Sequence, residues 1–405
     1  MVGCSSTRDI ISQVENIYRI IKENISFIKS DKGALCNSAG LSIFLYNYSQ
    51  IFSNCESKRL ADKVIENLFD KDLEFEYSDA GTVSFCSGVI GSGWLMTYLS
   101  DSGYCEIEQD MVELDCIAEL FFIKTIEAGN YDFLHGASGA LRYLLGRPKD
   151  ELTIHAIIRM TRKLLDAACN TDEFLFWPSY EFKTKSIKSG VINLGLSHGT
   201  PSILAILSAV YEYLDQNEFL VDYIRKCAYT ILSCKNRGDT FSLYPYQCDI
   251  GAFNSSNSRL GWCYGDLGVA VSLWSAGKIL SDNYILNEAI LAIRSASKIC
   301  DTEMGLVKDA AICHGASGIS HILYNFYLET NEKEFLLSSN YWYNRTICYL
   351  EPVRNLITAR TNWNSTFGYN NRFGLLEGIS GVGISLLNRI YPSMPIWDKC
   401  LLLRN

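Results

Sequence analysis

The chain has 405 residues, of which 48% are hydrophobic and 20% charged, and it contains only seven prolines. This is the composition of a globular protein with a large core, and it excludes extended disorder. The formal net charge of -9, without any cluster of Lys and Arg, argues against a general nucleic-acid binder, because phosphate contacts require such clusters.

Apolar spans and cysteines bear on the compartment in which the protein works. The first residues contain no apolar segment of the kind that a signal peptide needs, and no span is long and apolar enough for a transmembrane helix. The fifteen cysteines are spread over a long chain and their number is odd, unlike the pattern of a small disulfide-rich domain. We therefore expect a cytoplasmic protein with reduced thiols and no transmembrane segment.

A short motif recurs along the chain with a spacing of about 50 residues. It consists of one variable residue, Gly-x-x-Gly and an apolar helical run. The seven copies are Cys36-Asn37-Ser38-Ala39-Gly40, Ser87-Gly88-Val89-Ile90-Gly91, His135-Gly136-Ala137-Ser138-Gly139, His198-Gly199-Thr200-Pro201-Ser202, Tyr264-Gly265-Asp266-Leu267-Gly268, His314-Gly315-Ala316-Ser317-Gly318 and Glu377-Gly378-Ile379-Ser380-Gly381. A single copy would carry almost no information, whereas seven copies indicate a repeat architecture. Two copies are degenerate, with Asn37 and Ser202 in place of glycine.

A second helix with a one-sided apolar stripe is predicted before each motif. The clearest stripes are formed by Ile10, Val14, Ile17, Ile21, Ile25 and Ile28, and by Leu286, Ala289, Ile290, Ile293 and Cys300. The other helices of this kind are predicted at about 57–73, 110–127, 149–169, 218–235 and 332–350. Because the helix after each glycine pair is the more apolar one, we place it in an inner ring. The predicted fold is an all-α, α/α toroid with seven inner and seven outer helices, forming one domain over residues 1–405.

This architecture predicts where the motif residues lie. If all seven hairpins run in one direction, the N-termini of the inner helices and the loops before them converge on one end of the toroid. Helix N-termini carry partial positive charge and favour anions such as thiolates or an enolate. Three longer connections, 170–197, 236–261 and 351–376, are the predicted walls of a substrate cleft at this end. We call this end of the toroid the funnel.

Histidines and cysteines are concentrated in the motif loops. The position before the first glycine holds His135, His198 and His314, and the position before that holds a cysteine in three repeats: Cys86, Cys263 and Cys313. Only Cys313 and His314 offer both kinds of ligand side by side. Two thiols and an imidazole are a ligand set that catalytic zinc prefers, with the fourth position left for water or substrate. We therefore predict a zinc site at Cys263, Cys313 and His314 that activates a thiol.

The remaining cysteines and histidines have simpler interpretations. Cysteines on the apolar stripes are predicted to be small buried hydrophobic residues: Cys116, Cys169, Cys227, Cys300 and Cys348. Cys86 is interpreted in the same way, because its repeat offers no other ligand. His155 and His321 lie in helical runs and are expected to be packed or on the surface.

Four segments together resemble a known family. They are Asn193-Leu194-Gly195-Leu196-Ser197-His198-Gly199, Trp262-Cys263-Tyr264-Gly265, Ile312-Cys313-His314-Gly315 and Leu376-Glu377-Gly378-Ile379-Ser380-Gly381. In order and spacing they are similar to the signatures of the lanthionine synthetase C-like family, the lantibiotic cyclases. The resemblance implies an α/α barrel with one zinc ion bound by Cys263, Cys313 and His314. It also implies Michael-type addition of peptide cysteine thiols to dehydroalanine and dehydrobutyrine, which closes thioether rings.

The resemblance also implies roles for four further residues. His198 matches the family's catalytic histidine and is the candidate acid that protonates the enolate, although it could also cap its helix. Asp132 matches an acidic residue of the third repeat and could orient His198 or be an N-cap. Arg259 could stabilise the enolate or be a solvated surface residue, and Tyr264 could donate a hydrogen bond or only pack. His135 stands where no imidazole is expected and could be an alternative base or ligand.

Other functions share some of these features. A prenyltransferase-like subunit also activates a thiol with zinc, but its metal set includes a carboxylate. An inverting glycosidase would require two facing carboxylates, for which Asp132, Asp266 and Glu377 are available, and would leave the cysteines without a role. A non-cyclising relative that binds zinc and glutathione, or adds glutathione to dehydrated residues, stays open.

The implied partners follow from the same resemblance. They are a dehydrated precursor peptide, a lanthipeptide dehydratase and an exporter, and the last two would place the protein peripherally at the membrane. The chain itself shows no anchor.

Overall fold

A computed structural model describes residues 7–28, 32–69, 80–106, 111–250, 255–356 and 373–404 of the chain. Its helices are α1 (Thr7–Asn24), α2 (Asn37–Phe52), α3 (Cys55–Phe69), α4 (Ala80–Val83), α5 (Val89–Asp101), α6 (Val112–Glu127), α7 (Ala137–Leu144), α8 (Glu151–Asp166), α9 (Thr200–Tyr213), α10 (Val221–Ser233), α11 (Asp266–Leu280), α12 (Asn283–Ser297), α13 (Ala316–Thr330), α14 (Lys333–Leu356) and α15 (Ile379–Ile390). Short 3₁₀ helices span Ile25–Phe27, Glu218–Leu220 and Trp397–Leu401.

The predicted toroid is confirmed. The inner ring consists of the seven helices that follow the motifs, α2, α5, α7, α9, α11, α13 and α15, and each packs against its neighbours in chain order. The outer ring is formed by α1, α3, α6, α8, α10, α12 and α14. The first outer helix packs on both the last and the first inner helix, which closes the ring. Inner helices are buried almost all round, as in the run 200–210 of α9, because they face both the axis and the outer ring.

Backbone hydrogen bonds join the motif loops into a circle, which we call the loop annulus. In each bond the amide N–H of one loop donates to a carbonyl oxygen of another, over 2.9 to 3.4 Å. The donor and acceptor residues are Leu35 to Cys86, Cys86 to Leu134, Ser197 to Cys263, Cys263 to Cys313, Cys313 to Leu376 and Leu376 to Leu35. Within the described residues, no backbone hydrogen bond links the third loop to the fourth. The side chains of Asp132 and His198 make that connection instead, at 2.5 Å. The seven loops therefore lie at one end, as the sequence predicts.

The second position of the motif is glycine for a steric reason. A Cβ on Gly318 would lie 1.9 Å from the carbonyl oxygen of Ile312, and one on Gly381 would lie 1.8 Å from that of Leu375. No side chain fits these approaches between a loop and the helix that follows it. The degenerate fourth repeat differs, because Ser202 turns its hydroxyl back to donate to the carbonyl of Gly199 at 2.7 Å.

Five short strands were not predicted. They are β1 (Cys169–Asn170), β2 (Leu175–Phe176), β3 (Pro178–Glu181), β4 (Ser186–Asn193) and β5 (Gln247–Asp249). The last three form an antiparallel sheet in the order β3-β4-β5. This sheet lies in two of the three predicted wall connections, 170–197 and 236–261. Of the third connection, 351–376, residues 351–356 belong to α14 and residues 357–372 lie outside the described part of the chain.

The rear end of the toroid, opposite the funnel, is covered by the 3₁₀ helix Trp397–Leu401. Its backbone accepts hydrogen bonds from Trp262 Nε1 at 2.7 Å and from Arg142 Nε at 3.1 Å. His321 of α13 pairs with Asp398 at 2.8 Å, and both side chains are buried. His321 is thus a packed residue, one of its two predicted alternatives.

Some cysteine predictions were wrong. Cys116, Cys300 and Cys348 are exposed, whereas Cys227 is buried and Cys169 is partly buried. Cys116 and Cys348 lie on α6 and α14, where apolar periodicity does not define the boundary to solvent, and Cys300 lies beyond the end of α12. All cysteines in the described ranges are free thiols, and no helix there is long and apolar enough to cross a membrane.

The rear 3₁₀ helix generates a stability prediction. Trp397 is 1% exposed, so Trp397→Ala should lower the free energy of unfolding by about 3–5 kcal/mol, because a large cavity is left in the core. Its neighbour Ile396 is 43% exposed, and Ile396→Ala should change that free energy by only about 0.5 kcal/mol. Urea denaturation followed by circular dichroism measures both, and equal effects of the two variants would contradict the packing described.

Candidate functional site

Two neighbouring motif loops bring three potential metal ligands together. Cys263, Cys313 and His314 each offer one ligand atom, and these three atoms lie within 4.8 Å of one another. The three residues are only 6 to 8% exposed. The backbone holds the two loops in register, because the carbonyl of Cys313 accepts from the amides of Trp262 at 2.9 Å and Cys263 at 3.2 Å. Sulfur and imidazole donors at this separation could hold one metal ion of borderline softness.

The two thiols are electrostatically unequal. A hydrogen bond from the Cys313 thiol, with help from His314 and Arg259 against the effect of burial, holds the pKa of Cys263 well below its ordinary value. The same contact with Cys263 raises the pKa of Cys313, because a second negative charge beside the first is unfavourable. The cluster thus already favours one thiolate, the form in which cysteine binds a metal.

Arg259 provides a positive charge beside this cluster. It lies half-buried in the segment before Cys263, and its amide donates to the hydroxyl of Tyr246 at 3.0 Å. Burial lowers the pKa of Arg259, but the Cys263 sulfur and the Tyr246 hydroxyl outweigh burial and raise it. Gly265 allows the backbone of Arg259 to lie close to it. The φ angle of Gly265 is +90°, and a Cβ there would lie 2.1 Å from the carbonyl oxygen of Arg259. Arg259 is therefore not the solvated surface residue of the alternative interpretation.

His198 and Asp132 form a hydrogen-bonded pair. The imidazole Nδ1 lies 2.5 Å from the carboxylate, whose other oxygen accepts from the amide of His135 at 2.6 Å. Burial lowers the pKa of His198, but attraction to Asp132 outweighs it, so the pKa is raised overall. Burial alone would raise the pKa of Asp132. The interactions with His198 and His135 outweigh burial, so the pKa of Asp132 is lowered overall. The imidazole remains 27% exposed, so it is accessible from the funnel.

Tyr264 lies next to His198, with ring centres 6.2 Å apart. Its hydroxyl accepts a hydrogen bond from the Asn193 amide at 3.1 Å and its ring contacts Tyr246 edge-on at 5.2 Å. Burial raises the pKa of Tyr264 to about 12, so the phenol stays protonated and can donate a hydrogen bond. Tyr264 thus packs against aromatic rings and accepts one hydrogen bond, and its predicted role as a donor stays a prediction.

The seven predicted site residues thus occupy one connected region. The pKa of His198 depends on Cys263, and that of Tyr264 depends on both Cys263 and Asp132. Asp266 is not part of this region: its carboxylate accepts from the amides of Leu243 and Tyr244 at 2.9 Å each. It fixes a wall connection, which removes one of the carboxylates that a glycosidase would need.

One residue at the funnel was missed from the sequence, and a second was considered only as a glycosidase carboxylate. Phe182, in the turn between β3 and β4, is 41% exposed and contacts the rings of His135 and His198 at 5.9 and 6.0 Å. No pattern in the sequence pointed to it, because it depends on an unpredicted hairpin. Glu377 is half-buried near His314, and burial raises its pKa. Its position before the first glycine of the seventh motif was the available signal.

The first two motif loops add a pair of thiols to the funnel. The Cys36 thiol donates to the carbonyl of Cys86 at 3.4 Å, and contact with Cys36 together with burial raises the pKa of Cys86 well above its ordinary value. Cys86 is therefore a neutral thiol that is only partly buried, and it is not part of the metal cluster.

Known proteins resemble this chain over nearly its whole length. The sequence profile of a family described as "Lanthionine synthetase C-like protein" matches residues 37–402. The chain is 25% identical, over 427 aligned positions, to the nisin biosynthesis protein NisC of Lactococcus lactis subsp. lactis, covering 97% of this chain and 94% of that one. It shares its fold with a solved structure of nisin cyclase at a TM-score of 0.70 and 23% identity, covering 96% and 97% of the two chains.

The His198–Asp132 pair generates a pH prediction. In Asp132→Asn the attraction is lost and burial remains, so the pKa of His198 should fall below its ordinary value of 6.5. In the wild type, the stabilisation from the protonated imidazole is complete below pH 6.5 and is lost as the pH rises through the raised pKa of the folded state. NMR titration of the imidazole protons measures the shift. The exposed His155 on α8 is the internal control, and an unchanged pKa of His198 would contradict the pairing.

Proposed function

The chain belongs to the lanthionine synthetase C-like family, and from this premise we propose that it is a zinc-dependent lanthipeptide cyclase. It would add cysteine thiols of a dehydrated precursor peptide to dehydroalanine and dehydrobutyrine, forming lanthionine and methyllanthionine rings. The observation that carries the proposal is the placement of Cys263, Cys313 and His314 within 4.8 Å of one another, beside the hydrogen-bonded His198 and Asp132. A thiol-activating centre and a proton donor then face the same funnel.

Zinc fits the three residues on the chemistry of their donors. Two cysteine sulfurs and one imidazole leave one tetrahedral position for a ligand from the substrate, as in catalytic rather than structural sites. When bound, zinc would lower the pKa of a coordinated peptide thiol and so supply the thiolate nucleophile. Arg259 balances part of the negative charge of the two protein sulfurs, since the pKa of Arg259 responds to both.

The second part of the reaction requires a proton donor. Attack on the β-carbon of a dehydroamino acid leaves negative charge on the neighbouring carbonyl oxygen and requires a proton at the α-carbon. His198 is the proposed acid, because Asp132 holds its Nδ1 proton and leaves Nε2 to face the substrate. Asp132 acts as the positioning residue, and Arg259 and the Tyr264 hydroxyl are the proposed donors to the enolate oxygen.

The walls of the funnel are the proposed contacts of the precursor peptide. Phe182 contacts His198 edge-on and is 41% exposed, so its open face can pack against apolar atoms of a bound peptide. The β3-β4-β5 sheet supports this residue. We also propose, from the family alone, that a dehydratase and an exporter are partners, which would place a cytoplasmic protein peripherally at the membrane.

The metal assignment is tested by Cys313→Ala. This variant should lose stoichiometric zinc, measured by mass spectrometry of the native protein, because two remaining protein ligands hold zinc poorly. Cys300→Ala, which removes an exposed thiol, is the matched control and should keep one zinc per chain. Helical circular dichroism should be similar in both, because the ring is closed by packing and the loop annulus. Zinc retained by Cys313→Ala at the level of the control would exclude this ligand set.

The acid assignment is tested by His198→Asn. The variant should keep zinc and lose ring closure by about 100-fold or more in rate, a usual contribution of general acid catalysis. Purified protein is incubated with dehydrated precursor, and the remaining free thiols are alkylated and counted by mass spectrometry. His155→Asn, on the exposed face of α8, is the control and should close rings at the wild-type rate.

The outcomes of this assay separate the competing assignments. Full activity of His198→Asn would transfer the acid role to His135 or to water. If wild-type protein leaves every precursor cysteine open to alkylation, the chain is not a cyclase and the glutathione-binding alternative takes its place.

A further inference from the structure

A second large cavity lies at the rear end of the toroid. It has a volume of about 820 Å³ and is lined by residues near the C-terminal ends of four inner helices, α2, α5, α7 and α9, and by residues of the segment 393–399. The funnel lies at the N-terminal ends of the same helices, so the two openings are on opposite sides of the ring. The proposed cyclase chemistry uses nothing in this rear cavity.

Arg142 lines the cavity and is the unusual residue in it. The residue, in the last turn of α7, is only 4% exposed. Its Nε donates to the carbonyl of Lys399 at 3.1 Å, and no hydrogen bond within the described residues involves either Nη nitrogen. No carboxylate in the described ranges pairs with it. Burial lowers the pKa of Arg142 to about 10, so the guanidinium remains charged at neutral pH.

The other charges around the cavity leave Arg142 uncompensated. Arg147 is already paired with Asp115 at 2.9 Å. Burial and the neighbouring Arg142 lower the pKa of Lys399, while Glu212, Asp398 and Asp101 act in the opposite direction. Lys399 therefore has acidic neighbours, whereas Arg142, which lines the same cavity, has none that pairs with it in the described part of the chain. A buried charge without a partner is strongly unfavourable, and an anion between these two groups would remove the penalty.

The remaining wall is suited to a small organic solute. The rings of Trp94 and Tyr98 stack with centres 5.5 Å apart and provide a flat aromatic surface. The volume is within the range of small-molecule sites in proteins. A guanidinium with two free nitrogens can bind both oxygens of a carboxylate or phosphate at once.

We propose that the rear cavity is a binding site for an oxyanion, the carboxylate or phosphate group of a small solute, held between Arg142 and Lys399. The site is independent of the funnel and of the proposed cyclase activity. Its two acidic lining residues, Asp101 and Glu212, would face hydrogen-bond donors or a positive group elsewhere on the solute.

Calorimetric titration of the full-length, zinc-loaded protein tests the site. Inorganic phosphate and acetate are titrated separately in chloride buffer at constant ionic strength, and the tighter ligand identifies the kind of oxyanion. We expect saturable binding of at least one of them, with a thermal midpoint that rises with ligand concentration. Arg142→Met should weaken this binding by about tenfold or more, because it removes a charged hydrogen-bond donor.

Two further variants keep the test decisive. Lys399→Met leaves the buried guanidinium in place and should also weaken binding, so it decides the question if Arg142→Met does not fold. Lys149→Met is the charge control, because Lys149 pairs with Asp215 and does not line the cavity. This variant should bind the oxyanion with the affinity of the wild type. Absence of saturable binding, or equal affinity in Lys399→Met and wild type, would overturn the proposal and leave Arg142 as a residue that only balances the helix C-termini.

Discussion

The structure depends on the close approach of seven backbone segments at one end of the ring. Each inner helix begins directly after its motif loop, and the loops bond to one another through main-chain amides and carbonyls. Glycine is required where a loop carbonyl lies against the following helix, as at Gly318 and Gly381. Because these contacts involve backbone atoms, the side chains at the positions before the glycines are free to vary and can carry chemistry.

The candidate site uses this arrangement in two ways. The proposed metal ligands lie where the loop annulus is continuous. The carbonyl of Cys313 accepts hydrogen bonds from two amides of the preceding loop, so these side chains project from a hydrogen-bonded backbone. His198 lies where the third and fourth loops are joined by side chains. The proposed acid is therefore positioned by Asp132, whose charge also sets its protonation. The proposed metal site and the proposed proton donor therefore differ in what positions them, backbone hydrogen bonds for the first and a side-chain pair for the second.

The repeats, the toroid and the grouping of Cys263, Cys313 and His314 could be predicted because each follows from a local pattern repeated at equivalent places. Phe182 and the β3-β4-β5 sheet could not, because short strands in irregular connections have weak signals and their pairing is non-local. Exposure of Cys116 and Cys348 was also missed, since helical periodicity does not define the edge of a buried stripe. No motif includes Arg142, and only the fold shows that it is buried at the rear end.

This molecule is a closed ring and not an open stack of hairpins. Helix α1 packs on α15, and the amide of Leu376 donates to the carbonyl of Leu35. Open solenoids can gain or lose a unit at either terminus and require capping units there. Here there is no terminal unit to extend, so duplication or deletion of one hairpin would have to change the radius of the whole circle. A change in the number of repeats would therefore require every hairpin to be repositioned, whereas an insertion in a connection, such as the β3-β4-β5 sheet, leaves the circle closed.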